Sequence, residues 1–248
     1  MAGASGLGEE GSGTLVTERL ALWGFTGIEV GGSWRITVRP GPYDVQVTVD
    51  DNVVDDLRVE VRGDALHFGL RPQVRLRRVT LRAQVTMPAL DAVRVSGSGE
   101  ATFADFESPS LRLGVSGSGD VEGSGISVGV LDAGVSGSGD ITLEGCASES
   151  AGVSITGSGD VTLRGASDEE PAGILTLQIS GSGSAELDGC AFASANVGIT
   201  GSGSGTLTLG SGDLTGSISG SGEVRYRGSP ARVDVRTTGL ARIAHQGG

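Results

Sequence analysis

The chain has 248 residues, of which 45 are glycine, 37% are apolar and only 4% are aromatic. It lacks a Gly-X-Y repeat, which excludes collagen, and its apolar fraction is too high for a disordered linker. The net charge is −12 and every basic residue is arginine, which excludes a Schiff-base or P-loop lysine and disfavours nucleic acid as a partner.

The first segment, residues 1–13, reads MAGASGLGEEGSG and is predicted to be a flexible tail or tether. It has neither a positively charged n-region nor an apolar h-region, so we expect no signal peptide in this chain. No stretch is long and apolar enough to span a bilayer, so membrane contact is expected only through a tether or anchor that this sequence lacks.

Residues 14–94 are predicted to form a β-rich capping segment. Apolar and polar residues alternate there in short runs that Pro and Gly interrupt, as in WRITVRP and LRVEVRG. One helical turn is expected at DDNVVDDL, with Asp51 or Asn52 as its cap. The segment also holds five of the nine aromatic residues, which are expected to plug the end of a core: Trp23, Phe25, Trp34, Tyr43 and Phe68.

From residue 95 a Ser-Gly phrase, typified by VSGSGD, recurs with a period near 20. Its first Ser or Thr stands at positions 96, 116, 136, 156, 180, 200 and 219. Residues around each copy alternate between apolar and polar, which indicates strands. The predicted fold class is therefore all-β, a parallel β-helix of about 20-residue coils over residues 95–243, followed by a tail at 244–248. The one longer step contains ASDEEPAG, which is expected to loop outward.

The two glycines of each phrase are interpreted as parts of the scaffold. Both fall on the inward parity, where the missing Cβ lets the backbone turn through positive φ or lets the opposite wall approach closely. The serines fall outward and are expected to stack in ladders. The glycines concerned are Gly97, Gly99, Gly117, Gly119, Gly137, Gly139, Gly157, Gly159, Gly181, Gly183, Gly201, Gly203, Gly220 and Gly222.

Several stretches together resemble the head GIN domain family, a bacterial family of proposed autotransporter adhesins. They are GFTGIEV, DDNVVDDLRVEVRGDALHF, VTMPALDAVRVSGSG, the VSGSGDI copies and ISGSGEVRYRGSP, and they extend roughly over residues 14–243. The resemblance implies an extracytoplasmic β-helical protein (periplasmic, surface-bound or secreted) whose signal segment has been removed. It also implies a non-enzymatic binding or adhesion module for a cell-surface protein or glycan.

One repeat position carries a series of acidic residues. Glu100, Asp120, Asp140, Asp160 and Glu223 occupy it, and serine replaces them in the two intervening copies. Stacked coils place these like charges about 5 Å apart, which favours either a bound cation or a ridge of solvated carboxylates. Asp120, Asp140 and Asp160 are therefore the hypothetical calcium ligands, and no other cofactor is expected.

Three alternatives to a binding module remain open. A carbohydrate-active enzyme is the principal one, because β-helices host polysaccharide lyases and hydrolases. Against it, residues 107–225 contain a single aromatic residue, Phe192, to line a sugar cleft, and His67 and His245 lie far apart in sequence. Rows of small hydroxyls are typical of ice-binding faces, although those prefer threonine. A purely structural spacer is the third alternative.

Cys146 and Cys190 hold equivalent repeat positions two coils apart. At a separation of about 10 Å the two residues are too far apart for a disulfide bond. Both are therefore predicted to be thiols, unless the insertion between them shifts the register.

The C-terminal end is rich in arginine, whereas residues 95–224 contain 17 carboxylates and two arginines. This asymmetry permits head-to-tail self-association into a homo-oligomer. Charge and proline at the last coils are also expected to discourage edge-to-edge strand pairing. The residues concerned are Arg225, Arg227, Pro230, Arg232 and Arg236.

Overall fold

The computed structural model describes residues 8–165 and 172–247, and nearly all of their regular structure is β-strand. The strands form a β-solenoid of about seven turns with coils of about 20 residues, which confirms the predicted fold class. Residues 1–7 and 248 of the predicted tails lie outside the described residues. The same is true of residues 166–171, which make up most of the predicted outward loop.

The strands are numbered here in chain order. Those before the repeats, with one 3₁₀ helix, are β1 (Glu9–Glu10), β2 (Leu15–Leu20), β3 (Gly27–Gly32), β4 (Arg35–Pro40), β5 (Asp44–Asp50), the 3₁₀ helix (Asp51–Asp56), β6 (Leu57–Arg62), β7 (Ala65–Leu70), β8 (Leu76–Arg77) and β9 (Leu81–Met87). Those of the repeats are β10 (Ala92–Gly97), β11 (Glu100–Ala104), β12 (Glu107–Gly117), β13 (Asp120–Ser124), β14 (Ser127–Gly137), β15 (Ile141–Gly157), β16 (Val161–Gly165), β17 (Ala172–Gly181), β18 (Ser184–Gly201), β19 (Ser204–Leu209), β20 (Asp213–Gly220), β21 (Glu223–Gly228), β22 (Arg232–Gly239) and β23 (Arg242–His245).

The strands stack into two walls around one apolar core. The first wall contains, in spatial order, β6, β7, β3, β10, β12, β14, the second half of β15, β17, the second half of β18, β20 and β22. The second wall contains β2, β5, β9, β4, β11, β13, the first half of β15, β16, the first half of β18, β19, β21 and β23. Each Ser-Gly phrase carries the chain from the first wall to the second.

Neighbouring coils are parallel and pair residue for residue, so equivalent positions form straight columns. Val115 of β12 pairs with Val95 of β10 and with Val135 of β14, and all three side chains are buried. Ser116, one residue further along, points outward and is exposed. This alternation is what a strand with one apolar face requires, and the register explains why the same words recur in the sequence.

At the N-terminal end of both walls, antiparallel strands replace the parallel coils. β6 pairs antiparallel with β7, and β5 pairs antiparallel with β2 and β9. By contrast, β3 and β4 pair in parallel with β10 and β11, so coil geometry already begins within residues 14–94. Of these pairs, only β6 and β7 are joined by a tight turn, and the parallel coil pattern ends at these antiparallel strands.

Aromatic side chains fill the N-terminal end of the core. Phe25, Trp34 and Phe68 are fully buried, and the rings of Trp34 and Phe68 lie 5.4 Å apart. Tyr43 packs on Phe25 with ring centroids 4.9 Å apart, and its hydroxyl donates to the Phe25 carbonyl oxygen at 2.9 Å. Trp23 differs from the expected plug, because its side chain is 69% exposed.

The predicted helical turn is a 3₁₀ helix over Asp51–Asp56, and its N-cap residue is Asp50 rather than Asp51 or Asn52. Residues 9–13 of the segment expected to be a tail form hydrogen bonds with the capping segment. β1 pairs with β8, and the Ser12 N–H donates to the Asn52 side-chain oxygen at 2.9 Å. The last residues of that segment therefore find hydrogen-bond partners on the capping segment.

The Asp50 carboxylate joins two separate parts of the capping segment to the last residue of the predicted tail. It makes no capping hydrogen bond to the 3₁₀ helix. Instead, its Oδ1 accepts the Gly13 N–H at 2.7 Å and its Oδ2 accepts the Thr80 N–H at 2.7 Å. The residue is 2% exposed. These backbone donors, Thr80 first, lower the pKa of Asp50 below its ordinary value because they stabilise the ionised form.

Both glycines of each Ser-Gly phrase lie against the preceding coil, but only the first has a positive φ. Gly117 lies at the turn with φ of 128°, is half-buried, and so supplies the backbone conformation that other residues avoid. Gly119 is buried, and a Cβ there would lie 2.7 Å from Val95 Cγ1 and collide with the Gly99 carbonyl oxygen. The close approach is therefore to the preceding coil and not to the opposite wall.

We predict that Gly139→Ala lowers the free energy of unfolding by about 3 kcal/mol. The added methyl would collide with the Gly119 carbonyl oxygen and lie 2.8 Å from Val115 Cγ1. The matched control is Gly114→Ala, whose Cβ would lie 3.6 Å from Arg94 Cγ, an ordinary contact. Its expected effect is within about 0.5 kcal/mol. Urea denaturation followed by circular dichroism measures both, and equal losses would contradict the packing role of Gly139.

We predict that the free energy of unfolding falls as the pH decreases below about 4, and that Asp50→Asn weakens this dependence. Because the pKa of Asp50 is lower in the folded state, its ionised carboxylate stabilises the fold above the unfolded-state pKa. That stabilisation is lost as the pH falls through the folded-state pKa. Asp44, whose pKa the Arg19 hydrogen bond lowers to about 2, acts in the same sense.

Equilibrium denaturation at a series of acidic pH values tests this, with Asp64→Asn at an exposed turn as the control variant. The same pH dependence in Asp50→Asn and the wild type would show that Asp50 does not contribute.

Candidate functional site

The outward side of the second wall gathers acidic residues into columns, and this surface is termed the acidic face. Its first column contains Glu100, Asp120, Asp140, Asp160, Ser184, Ser204 and Glu223. Its second column, two residues further along each strand, contains Thr102, Glu122, Thr142, Thr162, Glu186, Thr206 and Arg225. The register that stacks the core therefore also aligns these side chains.

The aspartates of the first column are bound to the backbone of the next coil. Asp120 Oδ1 accepts the Asp140 N–H at 3.2 Å, and Asp140 Oδ1 accepts the Asp160 N–H at 2.9 Å. Asp160 Oδ1 accepts the N–H and the hydroxyl of Ser184 at 2.8 and 2.6 Å. These residues thus support the stacking of the coils, and calcium binding by Asp120, Asp140 and Asp160 stays a prediction.

Arginines neutralise the two ends of the acidic face. Arg35 Nε donates to Glu100 at 2.7 Å, and Arg225 Nη2 donates to Glu223 at 2.7 Å. Within residues 8–165 and 172–247, no ion pair involves the carboxylates in the middle of the face, which are Asp120, Glu122, Asp140, Asp160 and Glu186. The middle of this surface is therefore an uncompensated negative region.

A groove of about 430 Å³ opens on the acidic face near the capping segment. Its lining offers two carboxylates, one guanidinium and several hydroxyls, from Glu122, Glu144, Arg39, Thr37, Thr102, Ser124 and Thr142. Arg164 Nη1 donates to Glu144 at 3.0 Å, so Glu122 is the carboxylate of the groove that remains uncompensated. The groove suits a group that carries positive charge or donates hydrogen bonds.

Glu122 and Glu144 were not singled out by the sequence argument. Both lie on the outward parity, two and four residues after the aspartate position of their coils. That parity was therefore sufficient to place them on the same face as Asp120 and Asp140. The sequence does not predict that both carboxylates line one groove, because the groove forms only where the side chains of adjacent coils are short.

The outward side of the first wall carries the predicted hydroxyl ladder. Its main column contains Ser96, Ser116, Ser136, Thr156, Ser180, Thr200 and Ser219. The neighbouring column is also built largely of small residues, namely Gly114, Gly134, Ser154, Gln178, Gly198 and Ser217. This surface is much less charged than the acidic face.

The cysteines and histidines do not combine into one site. Cys146 and Cys190 are buried, and the Cys190 thiol donates to the Cys146 carbonyl oxygen at 3.7 Å. The longer coil between them thus brings them nearer than two ordinary coil spacings. His67 lies in β7 at the capped end, whereas His245 lies in β23 and stacks on Tyr226 with centroids 5.0 Å apart.

No group of three or more His, Cys, Asp or Glu side chains with metal-binding geometry is found among the described residues. In the same part of the chain, no helix has the length and apolar character of a membrane span.

The in-register Ser-Gly coils, the antiparallel cap and the acidic face define a capped β-solenoid with one strongly acidic side. The chain belongs to the family described as "putative auto-transporter adhesin, head GIN domain", whose model matches residues 24–167 and 146–230. This confirms the family that the sequence resembles. No curated protein matches the sequence.

Solved structures share this fold. A protein from Parabacteroides merdae described as a putative adhesin has a TM-score of 0.87 and 22% identity, over 96% of this chain and 98% of that chain. A protein from Parabacteroides distasonis described as a putative lipid binding protein has a TM-score of 0.85 and 22% identity, over 94% and 98%. A putative adhesin from Bacteroides fragilis has a TM-score of 0.70 and 20% identity, over 96% and 100%.

The calcium hypothesis predicts that calcium raises the midpoint of thermal unfolding by about 5 °C over a sample with chelator. Asp140→Asn keeps an oxygen for the Asp160 N–H but removes the central charge, so it should abolish this increase and keep the fold. Asp132→Asn removes one charge from the first wall and serves as the control, which should retain the increase. If calcium leaves the wild-type midpoint unchanged, the aspartates act only as backbone acceptors.

Proposed function

We propose that this chain is a non-enzymatic binding module of the adhesin type that acts outside the cytoplasm. Its acidic face binds a cationic surface of a partner protein. Membership of the adhesin-head family supports both the binding role and the extracytoplasmic location. The observation that carries the proposal is the uncompensated negative charge in the middle of the acidic face.

Charge supports a cationic partner. Residues 95–224 contain 17 carboxylates and only two arginines, Arg112 and Arg164. Arg164 is paired with Glu144, and Arg112 lies on the first wall, so neither neutralises the middle of the acidic face. A surface lined by one sign of charge attracts opposite charge over about a Debye length, roughly 8 Å in physiological salt.

The shape of the face supports an extended protein segment as the occupant. The columns are straight and offer equivalent side chains every coil, about 4.8 Å apart, so several basic side chains of one segment can bind simultaneously. The groove beside Glu122 adds a recess of about 430 Å³ at one end. Sugar sites more often use exposed aromatic rings, and Phe192 is buried.

The aspartates of the first column hold the scaffold together, which supports a role without catalysis. Asp120, Asp140 and Asp160 each hold a backbone N–H of the following coil. A carboxylate in that position is fixed on the strand and is already shared with the scaffold. This arrangement suits recognition by charge more than proton transfer.

We predict that the wild-type protein binds an immobilised nona-arginine peptide and that the double variant Glu122→Gln/Glu186→Gln weakens this binding at least about tenfold near 0.15 M salt. Both residues lie in the unpaired middle of the acidic face. Biolayer interferometry measures the affinity, with a glycan array and lipid vesicles as parallel samples.

The matched control is Glu107→Gln/Asp132→Asn, which removes the same charge from other surfaces and should change the affinity by less than about twofold. Equal weakening by the two double variants would show attraction by net charge alone. Binding to glycans or vesicles without binding to the peptide would contradict a cationic protein partner.

A further inference from the structure

The C-terminal end of the solenoid leaves its core uncovered. Val233 in β22 is 44% exposed, although Leu214, its partner one coil earlier, is completely buried. Ile243 in β23 is half-buried above the fully buried Val224. Inward-facing apolar side chains therefore lie against solvent at this end.

The strands at this end also have an unpaired edge. Within the described residues, β22 pairs with β20 alone and β23 with β21 alone. In the described part of the chain, no antiparallel strand covers β22 or β23. At the N-terminal end, antiparallel strands do cover the last parallel strands of both walls, and the edges there belong to β2 and β6. An open row of backbone N–H and C=O groups beside exposed apolar residues is a template for another strand.

We propose that a second copy of this chain covers this end, with the two β22 strands pairing antiparallel about Val235. In this register Val235 faces its own equivalent and Val233 faces Thr237 of the second copy, so the inward residues of both copies extend one core. On the outward side, Asp234 faces Arg236 of the second copy, and Arg236 faces Asp234. Arg232 faces Thr238, an uncharged residue.

Charge favours this register over the two on either side of it. Pairing about Val233 would also place Arg232 opposite Asp234, but it would pair only three residues of β22. Pairing about Asp234 places aspartate opposite aspartate and Arg232 opposite Arg236, whereas pairing about Arg236 places arginine opposite arginine. Cross-strand pairs of opposite charge stabilise an antiparallel ladder and like charges destabilise it. The arginines that are expected to discourage edge-to-edge pairing therefore destabilise the registers about Asp234 and Arg236 but not the register about Val235. The contact joins C-terminal ends, in place of the head-to-tail contact expected from net charge.

The experiment is sedimentation of the full chain over a range of concentrations, with circular dichroism to confirm folding. We expect a wild-type dimer. Asp234→Arg and Arg236→Asp should each weaken dimerisation at least about tenfold, because each makes two like-charge pairs per dimer. The double variant Asp234→Arg/Arg236→Asp exchanges the two charges and should restore dimerisation to within about threefold of the wild type.

Asp234 also forms an ion pair with Arg232 of its own strand. The control variant Arg232→Gln breaks that pair without changing the proposed charge pairs between copies, so it should leave dimerisation largely unchanged. A wild-type monomer at all concentrations would overturn the proposal. So would a dimer that is insensitive to the charge exchange, since its interface would lie elsewhere. A monomer that binds an acidic strand-forming peptide at this end would identify another protein as the occupant.

Discussion

Parallel in-register stacking is the constraint on which the rest of this structure depends. Each residue has as its nearest neighbour the equivalent residue one coil away, about 4.8 Å distant. A residue type is therefore acceptable only if it packs against the equivalent residues of the adjacent coils. Valine and isoleucine satisfy this in the core column through Val115. Glycine satisfies it where the chain changes walls, because a Cβ on Gly119 would collide with the coil before it. The repetition of the sequence follows from this requirement.

The same requirement governs the charges on the acidic face. Aspartates stack directly, because each carboxylate, such as that of Asp140, accepts the N–H of the next coil and so gains a partner that offsets repulsion. Glutamates of the second column never stand next to one another. Glu122 lies between Thr102 and Thr142, whose hydroxyls carry no charge. The stack of coils can therefore be stable although its surface is strongly acidic. The glutamates of the second column keep the unpaired charge that the proposed partner would bind.

The sequence predicts the walls of the solenoid but not the long-range contacts of the capping segment, for one physical reason. Core columns and outward columns are set by parity and period, which are local and repeated. The Asp50 carboxylate instead bonds Gly13 and Thr80, which are 37 and 30 residues away and carry no repeated signal. The sequence also does not show which of Gly117 and Gly119 has the positive φ, because a bent turn interrupts the strict alternation of inward and outward residues.

A repeating stack contains no signal for its own length, so its two ends must be specified by residues outside the repeat. At the N-terminal end, the large rings of Trp34 and Phe68 fill the core, and antiparallel strands pair with the last parallel strands, β7 and β9. At the C-terminal end the core residues are smaller and the edge carries alternating charge instead. Val235 lies between Asp234 and Arg236, so this edge is complementary to itself only when it is reversed. The capped end is thus completed by the chain itself, whereas the other end has the residues that a reversed second copy would match.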